Sequence, residues 1–173
     1  MKLLTILFSI SILCPLGIAD SSDPIRTAGD IGQIATPLYG LYLTYSYSDK
    51  IGRQQFFTST LCTSIATHIL KKVSNKPRPD GSDNRSFPSG HTSAAFSGAT
   101  FIHQRYGIKK AWPAYMVASF VGYSRVNANK HFWEDVIAGA LLAGVNSWLF
   151  TTQFVENTDI EVSPSQVKFQ IQF

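Results

Sequence analysis

Three short segments of this chain carry basic, hydroxyl and imidazole side chains at spacings that could serve a single reaction. They are Lys71 with Arg78-Pro79, then Pro88-Ser89-Gly90-His91, and then Ser124-Arg125 with His131 and Asp135. A phosphoryl group in its transition state spreads negative charge over three oxygens, which fixed cations and N–H donors must surround. The residue types in these segments would supply both kinds of group, provided that folding brings the segments together.

Three cations could surround such an anion, namely Lys71, Arg78 and Arg125. The planar fork of an arginine suits bidentate contacts with phosphate oxygens. Pro88 is typical of a residue just before or at the first turn of a helix. The N–H of Gly90 and both the N–H and the hydroxyl of Ser89 would then point at the phosphate from the helix N-terminus. Glycine at that point also lets a ligand approach the backbone closely.

In this order and at these distances, the three segments resemble the signature of the phosphatidic acid phosphatase type 2 superfamily, which also includes bacterial nonspecific acid phosphatases and vanadium haloperoxidases. The motifs span residues 71–135, under half of the chain, and the run from His131 to Gly139 is similar to the family's third block beyond its fixed positions. The resemblance implies a phosphatase that needs no metal or other cofactor, because cationic side chains supply the positive charge.

The resemblance also implies a division of labour between two histidines. His131 would attack phosphorus and form a phosphohistidine, while Asp135, four positions later, would accept a hydrogen bond from the other ring nitrogen. His91 would protonate the leaving oxygen as a general acid and would later activate water. The residues implied to bind phosphate are Lys71, Arg78, Ser89, Gly90 and Arg125.

Each of these residues has a structural alternative when it is taken alone. Lys71 and Lys72 could form a solvated helix end, and the family spacing selects Lys71 of the two. A single histidine such as His91 or His131 is more often structural than catalytic. Glu134 is acidic but off the family register. The hypothesis therefore depends on the joint pattern.

The surrounding sequence is mostly helical in pattern. Five stretches are apolar-rich, lack strong alternation and have the length of a helix. They are residues 31–48, 54–70, 90–105, 111–124 and 136–153. Polar breaks separate them, the longest being the loop 71–88. We expect an all-α fold, a helical bundle of about five or six helices with the active site at one end, within a catalytic domain that spans residues 20–154.

The last stretch, residues 155–173, has a different pattern. From residue 167 onward apolar and polar side chains alternate, which is typical of a strand. Ile160 and Val162 alternate with polar neighbours as well, and Pro164-Ser165 could turn the chain between the two runs. A short C-terminal β-hairpin and a loosely held tail are both compatible with this pattern.

Residues 1–19 are typical of a secretory signal peptide. Lys2 supplies a positive charge near the N-terminus, and residues 3–18 form an almost continuous apolar stretch. Small residues then precede a predicted cleavage site after Ala19. An uncleaved first membrane helix is the alternative. Cleavage would remove Cys14 and leave Cys62 without an intramolecular disulfide partner. The segment predicts an exported protein of the cell envelope.

Composition narrows the class of protein and of partner. Charged residues make up 15% of the chain, below the usual share of about 25%, which suits a packed globular or membrane-associated domain. The net charge of +4 is modest and the basic residues form no continuous run, so nucleic acid is not an expected partner. The mean hydropathy of +0.04 falls below zero without the leader. This favours a periplasmic, soluble or peripheral protein over an integral inner-membrane protein with a periplasm-facing active site.

The expected reaction is hydrolysis of a phosphomonoester or diphosphate outside the cytoplasm. A phosphorylated lipid at a membrane surface or bilayer is the favoured substrate, with lipid A, a polyprenyl diphosphate, phosphatidic acid and phosphatidylglycerol phosphate all open. The nearest alternative is a nonspecific soluble periplasmic acid phosphatase that acts on small phosphate esters. A phosphotransferase, a vanadate haloperoxidase and a non-catalytic lipid- or anion-binding protein are further alternatives. The sequence predicts no particular oligomeric state.

Overall fold

The computed structural model describes residues 23–155, 161–163 and 166–168. Its elements are α1 (Pro24–Ser46), α2 (Lys50–Ser74), α3 (Gly90–Tyr106), α4 (Ile108–Asn127), α5 (Trp133–Phe150), β1 (Glu161–Ser163) and β2 (Gln166–Lys168). Five helices in this part of the chain confirm the predicted all-α bundle. The two strands pair antiparallel with Val162 opposite Val167, so the short C-terminal hairpin is also present. The proposed signal segment lies outside the described residues.

Helix α3 forms the centre of the bundle, because it packs against each of the other four helices. Three of its apolar residues, Ala95, Phe101 and Ile102, have no solvent-exposed surface. Small residues let the neighbouring helices come close. A Cβ on Gly98 would lie 2.5 Å from the backbone nitrogen of Pro37 in α1. Helix α3 is therefore the scaffold against which the other helices are positioned.

The helices extend beyond the stretches that the apolar pattern predicted, and in α2 and α4 the extension includes a candidate site residue. Helix α2 continues to Ser74, so Lys71 lies in a helix and not in the loop that follows it. Helix α4 continues to Asn127, so Arg125 also lies in a helix. The prediction of loops at these two points was wrong, because polar side chains at a helix end carry no apolar signal. Helix α2 stops where Asn75 adopts a left-handed conformation with φ of 44°.

The two ends of the bundle contain different polar groups. At one end, the buried Arg105 donates from Nε to Oδ2 of Asp49 at 2.7 Å and from Nη1 to the carbonyl of Thr152 at 2.9 Å. These bonds connect the start of α2, the end of α3 and the chain after α5. At the opposite end, the last turns of α2 and α4 meet the first turns of α3 and α5. That second end contains the three motif segments.

In the part of the chain that the structure describes, no helix has both the length and the apolar character of a membrane span. Several outward faces are nevertheless apolar. Along α4, large side chains are exposed at intervals of three or four residues: Trp112, Met116, Phe120 and Tyr123. Exposed apolar side chains also occur on α1, α2 and α5.

Candidate active site

Backbone hydrogen bonds join the second and third motif segments at one end of the bundle. Ser89, which precedes α3, donates its backbone N–H to the carbonyl of Asp135 at 2.9 Å. The N–H of His131 donates to the carbonyl of Arg125 at 3.3 Å. The second and third motifs are therefore held together by main-chain contacts, and the last turn of α2 brings the first motif beside them.

His131 is almost completely buried, and its two ring nitrogens have different surroundings. Nε2 lies 3.4 Å from Nη1 of Arg78. Nδ1 lies 3.7 Å from Oδ2 of Asp135 and has no hydrogen-bond partner among the described residues. Burial, followed by the charges of Lys71 and Arg78, lowers the pKa of His131 well below its ordinary value. The imidazole is therefore neutral at neutral pH, which a nitrogen nucleophile requires.

Asp135 does not form the hydrogen bond to His131 that the four-residue spacing predicted, because 3.7 Å exceeds hydrogen-bond length. Its carboxylate is committed to other donors. Oδ1 accepts from Nζ of Lys76 at 2.7 Å, while Oδ2 accepts from the Ser86 hydroxyl and, at 2.9 Å, from the N–H of Phe132. Burial by itself raises the pKa of Asp135, but the bonds from Lys76 and Ser86 outweigh burial and the net pKa is lowered. Asp135 is therefore an anion beside the imidazole.

His91 lies in the first turn of α3, half-buried, with Nε2 3.0 Å from Oδ1 of Asp30. Burial, followed by the charge of Arg125, lowers the pKa of His91, and Asp30 opposes this only in part. Lys71 is a further cation that lowers this pKa. A bound anion would offset these two cations and would therefore favour a protonated His91.

Arg125 is buried, and all three nitrogens of its guanidinium have a partner within the protein. Nη1 donates to Oδ1 of Asp30 at 2.7 Å, Nη2 to the carbonyl of Arg26 at 2.8 Å, and Nε to Oγ of Ser124 at 3.1 Å. Helix α1 comes this close because a side chain on Gly29 would overlap that of Ser124. One N–H on each terminal nitrogen is left over for a ligand.

Lys71 and Arg78 bring two more positive charges to the site. Nζ of Lys71 donates to the carbonyl of Arg85 at 2.8 Å, and its Cε lies 3.5 Å from the position that a Cβ on Gly90 would take. Arg78 is oriented by Asp83, whose Oδ1 accepts from Nε at 2.7 Å. These contacts place Lys71 at the N-terminus of α3, while Arg78 lies beside Nε2 of His131.

Ser89 uses its polar groups within the protein. The side chain is completely buried, and Oγ accepts from the N–H of Thr92 at 3.4 Å and from the Thr92 hydroxyl at 2.9 Å. The hydroxyl therefore caps α3, since the first N–H groups of a helix need an acceptor. Gly90 is the first residue of α3, so its N–H lies at the positive end of the helix.

Three residues that the motifs did not identify complete the site: Asp30, Lys76 and Ser86. Asp30 is 95 positions from Arg125 along the chain, and no spacing rule connects them. Lys76 lies within the first motif segment, between Lys71 and Arg78, but only folding shows that it contacts Asp135. The local sequence therefore shows that residue 76 is basic, but it does not show that Asp135 is its partner.

The sequence pattern of the PAP2 superfamily matches residues 54–159, which include all three motif segments. This chain belongs to the PAP2 superfamily. The match confirms the resemblance in the motifs, and together with the lipid phosphatase relatives described next it confirms the predicted enzyme class, a phosphatase of the PAP2 type. Asp30 and Arg26 precede the matched residues, so α1 contributes contacts from outside them.

Two relatives of this PAP2 superfamily member cover different shares of the chain. A lipid A 4'-phosphatase of Helicobacter pylori (strain J99) is 39% identical over 150 residues, which are 77% of this chain and 76% of that protein. A lipid A 1-phosphatase of Porphyromonas gingivalis is 41% identical over 88 residues, which are 47% of this chain and 20% of that protein. The crystal structure of Aquifex aeolicus LpxE is similar with a TM-score of 0.61 and 25% identity, covering 72% of this chain and 81% of that one.

Proposed function

We propose that this member of the PAP2 superfamily is a phosphatase that hydrolyses a phosphomonoester of lipid A through a phosphohistidine on His131. The observation that carries the proposal is the buried imidazole of His131, with Nε2 3.4 Å from Nη1 of Arg78, in surroundings that lower the pKa of the ring. The choice of lipid is supported by the H. pylori relative, whose name states that it acts on lipid A and whose similarity spans 77% of this chain.

In the proposed first step, Nε2 of His131 attacks phosphorus. A P–N bond forms while the P–O bond to the lipid breaks, and the leaving oxygen takes a proton from His91. The position of Nε2 beside Arg78 supports its choice as the attacking atom, since the phosphate would bind on the cationic side of the ring. The ring gains positive charge in this step, and Asp135 is the anion on its other side.

In the proposed second step, water hydrolyses the phosphohistidine. The water attacks phosphorus and gives a proton to His91, while the P–N bond breaks and inorganic phosphate leaves. His91 then has its proton again for the next cycle. The contact of 3.0 Å between Nε2 of His91 and Asp30 supports this role, because the carboxylate stabilises the protonated ring.

The phosphate oxygens are proposed to bind Lys71, Arg78, Arg125 and the N–H of Gly90, with Ser89 supporting that N–H by capping α3. These groups supply fixed positive charge where the transition state concentrates negative charge. The reaction as proposed therefore requires no metal ion or other cofactor, and turnover in the presence of EDTA is expected.

We further propose that the protein works at the surface of an envelope membrane, after export directed by residues 1–19. The exposed apolar row on α4 supports this location, because such a face favours contact with acyl chains. The proposed catalytic domain, residues 20–154, is supported by Phe154. Its N–H donates to the carbonyl of Arg105 at 2.7 Å and its ring packs on Tyr106, so the chain stays with the bundle up to this point.

The proposal is tested with the purified full chain, lipid A in detergent micelles, and EDTA, using mass spectrometry to follow the loss of one phosphate. We expect dephosphorylation by the unaltered protein and none by His131→Ala. His103→Ala is the matched control, because this histidine bonds Tyr115 outside the motif segments, and it should keep the normal rate. Normal turnover by the His131→Ala protein would contradict the mechanism.

The same assay separates the substrates that the sequence left open. Phosphatidic acid, phosphatidylglycerol phosphate and a polyprenyl diphosphate are compared in identical micelles, with glycerol 3-phosphate as a soluble ester. We expect the highest kcat/KM with lipid A. A higher value with glycerol 3-phosphate would overturn the lipid assignment in favour of a nonspecific acid phosphatase.

A further inference from the structure

The carboxylate of Asp135 accepts hydrogen bonds from three groups other than His131. The side chain is completely buried. Its two oxygens accept hydrogen bonds from Lys76, from Ser86 and from the N–H of Phe132. Nδ1 of His131, also buried, lies 3.7 Å from Oδ2 and has no hydrogen-bond partner among the described residues. A buried polar nitrogen without a partner costs free energy, so this arrangement needs a reason.

The ammonium group of Lys76 is held tightly in place beside Asp135. Nζ lies 2.7 Å from Oδ1 of Asp135 and 2.6 Å from Oε1 of Glu134. It also lies 4.6 Å from the centre of the Phe132 ring and 5.9 Å from that of Phe87. The Glu134 side chain is 69% exposed, so water screens that contact, whereas Asp135 is completely buried. The contact with Asp135 is therefore the stronger of the two.

Building on the function proposed above, we propose that Lys76 is a positioning residue for His131. Lys76 donates a hydrogen bond to Oδ1 of Asp135 and partly neutralises the carboxylate. This weakens the electrostatic attraction of Asp135 for a proton on the His131 ring, so the imidazole stays neutral until it attacks phosphorus. When the P–N bond forms at Nε2, the ring becomes positively charged. Its Nδ1–H then closes on the Asp135 carboxylate, which in the resting state accepts three hydrogen bonds of the roughly four that its two oxygens can take. The contact of 3.7 Å is therefore the resting state of a pair that tightens during the reaction.

The electrostatic surroundings of His131 agree with an imidazole that is neutral in the resting enzyme. The charged and titratable groups that face it are Lys71 from α2, Arg78 from the loop before α3, His91 from α3 and Asp135 from α5. Burial is the largest cause that lowers the pKa of His131, the two cations add to it, and Asp135 opposes them. Burial by itself lowers the pKa of Lys76, but its bonds to Asp135 and Glu134 outweigh burial and raise it. Lys76 therefore stays an ammonium group at the pH where the enzyme would work.

The test is an NMR titration of the imidazole nitrogens in the full chain, without substrate, with His131→Asn used to assign the His131 signals. Lys76→Met keeps the apolar stem and removes the charge. We expect it to raise the pKa of His131 by about one unit, since Asp135 then acts on the ring alone. Lys76→Arg should keep the low pKa. Glu134→Gln is the matched control, because it removes the exposed partner of Lys76 and leaves Asp135 untouched, and it should leave the pKa unchanged.

An unchanged or lower pKa of His131 in Lys76→Met would overturn the inference. Should this variant fail to fold, Lys76→Gln removes the charge while it keeps a donor for Asp135, and the same comparison applies. In active protein, the acid limb of the kcat/KM profile should move to higher pH in Lys76→Met by the same amount as the pKa. The NMR titration requires no activity, so a protein without phosphatase activity would overturn the proposed function, while the titration alone decides the claim about Lys76.

Discussion

Oδ1 of Asp30 accepts a hydrogen bond from Nη1 of Arg125 at 2.7 Å, although 95 positions separate the two residues. The same oxygen lies 3.0 Å from Nε2 of His91. A carboxylate of α1 therefore contacts both the arginine proposed to bind phosphate and the proposed general acid. Because an anionic substrate would use the same two groups, removal of this charge should affect binding and turnover in opposite directions.

We expect Asp30→Asn to bind vanadate more tightly and to turn over lipid A more slowly. Without the carboxylate, Arg125 and His91 attract an anion more strongly, by roughly threefold to tenfold for a partly exposed group. The value of kcat should fall about tenfold, since His91 loses the group that stabilises its protonated form. Vanadate inhibition constants and kcat measure the two effects. Weaker vanadate binding would show that Asp30 supports the anion site instead of competing with it.

The role of His91 can be separated from that of His131 by the choice of leaving group. His91→Ala should slow turnover of lipid A by about 10²–10⁴-fold, because an alkoxide leaves poorly without a proton. With p-nitrophenyl phosphate, whose leaving group needs no acid, the variant should still release a burst of nitrophenol equal to the enzyme concentration. Hydrolysis of the phosphohistidine should then be slow. Stopped-flow absorbance records both phases, and loss of the burst would argue against His91 as the acid.

The free energy of unfolding should fall as the pH drops from 7 to 5. Burial lowers the pKa values of His91 and His131 below the ordinary 6.5, so the unfolded chain binds protons in this range that the folded chain does not. Stability is therefore greatest above pH 6.5 and is lost as the pH falls below it. The lowered pKa values of Asp49 and Asp135 add to this loss only near and below 3.8. Urea unfolding of His131→Asn should show a loss smaller by about 1 to 2 kcal/mol.

The packing of α3 against α1 depends on Gly98. A Cβ at this position would meet backbone atoms of Thr36 and Pro37 at 2.5–2.6 Å, and backbone cannot move aside as a flexible side chain can. Gly98→Ala should therefore destabilise the fold by about 2 kcal/mol. Gly144→Ala, where the nearest atom is 4.0 Å away on Thr100, should be neutral or stabilise by up to about 1 kcal/mol. Thermal melting compares the two, and equal melting temperatures would show that the helices can separate without cost.

The local sequence was informative for the groups that lie close together along the chain. Arg125, His131 and Asp135 fall at the junction of α4 and α5, and His91 follows the proline that precedes α3. Their types and order along the chain resemble the family signature, so a local pattern was enough to select them as candidates. The apolar pattern located five helices because helical periodicity is also a local property of the sequence. It misplaced the ends of α2 and α4, where polar side chains continue a helix without any apolar signal.

The sequence by itself determined the family, the helical bundle and the identity of the residues proposed as nucleophile and acid. Only the tertiary structure decided that Asp30 joins Arg125 across 95 positions and that Lys76, across 59 positions, contacts Asp135 more closely than His131 does. A contact of this kind depends on how α1 packs on α4 and how the loop before α3 lies on α5. Close approach of helices, as at Gly29, is set by side chains from distant parts of the chain, and no local spacing contains that information.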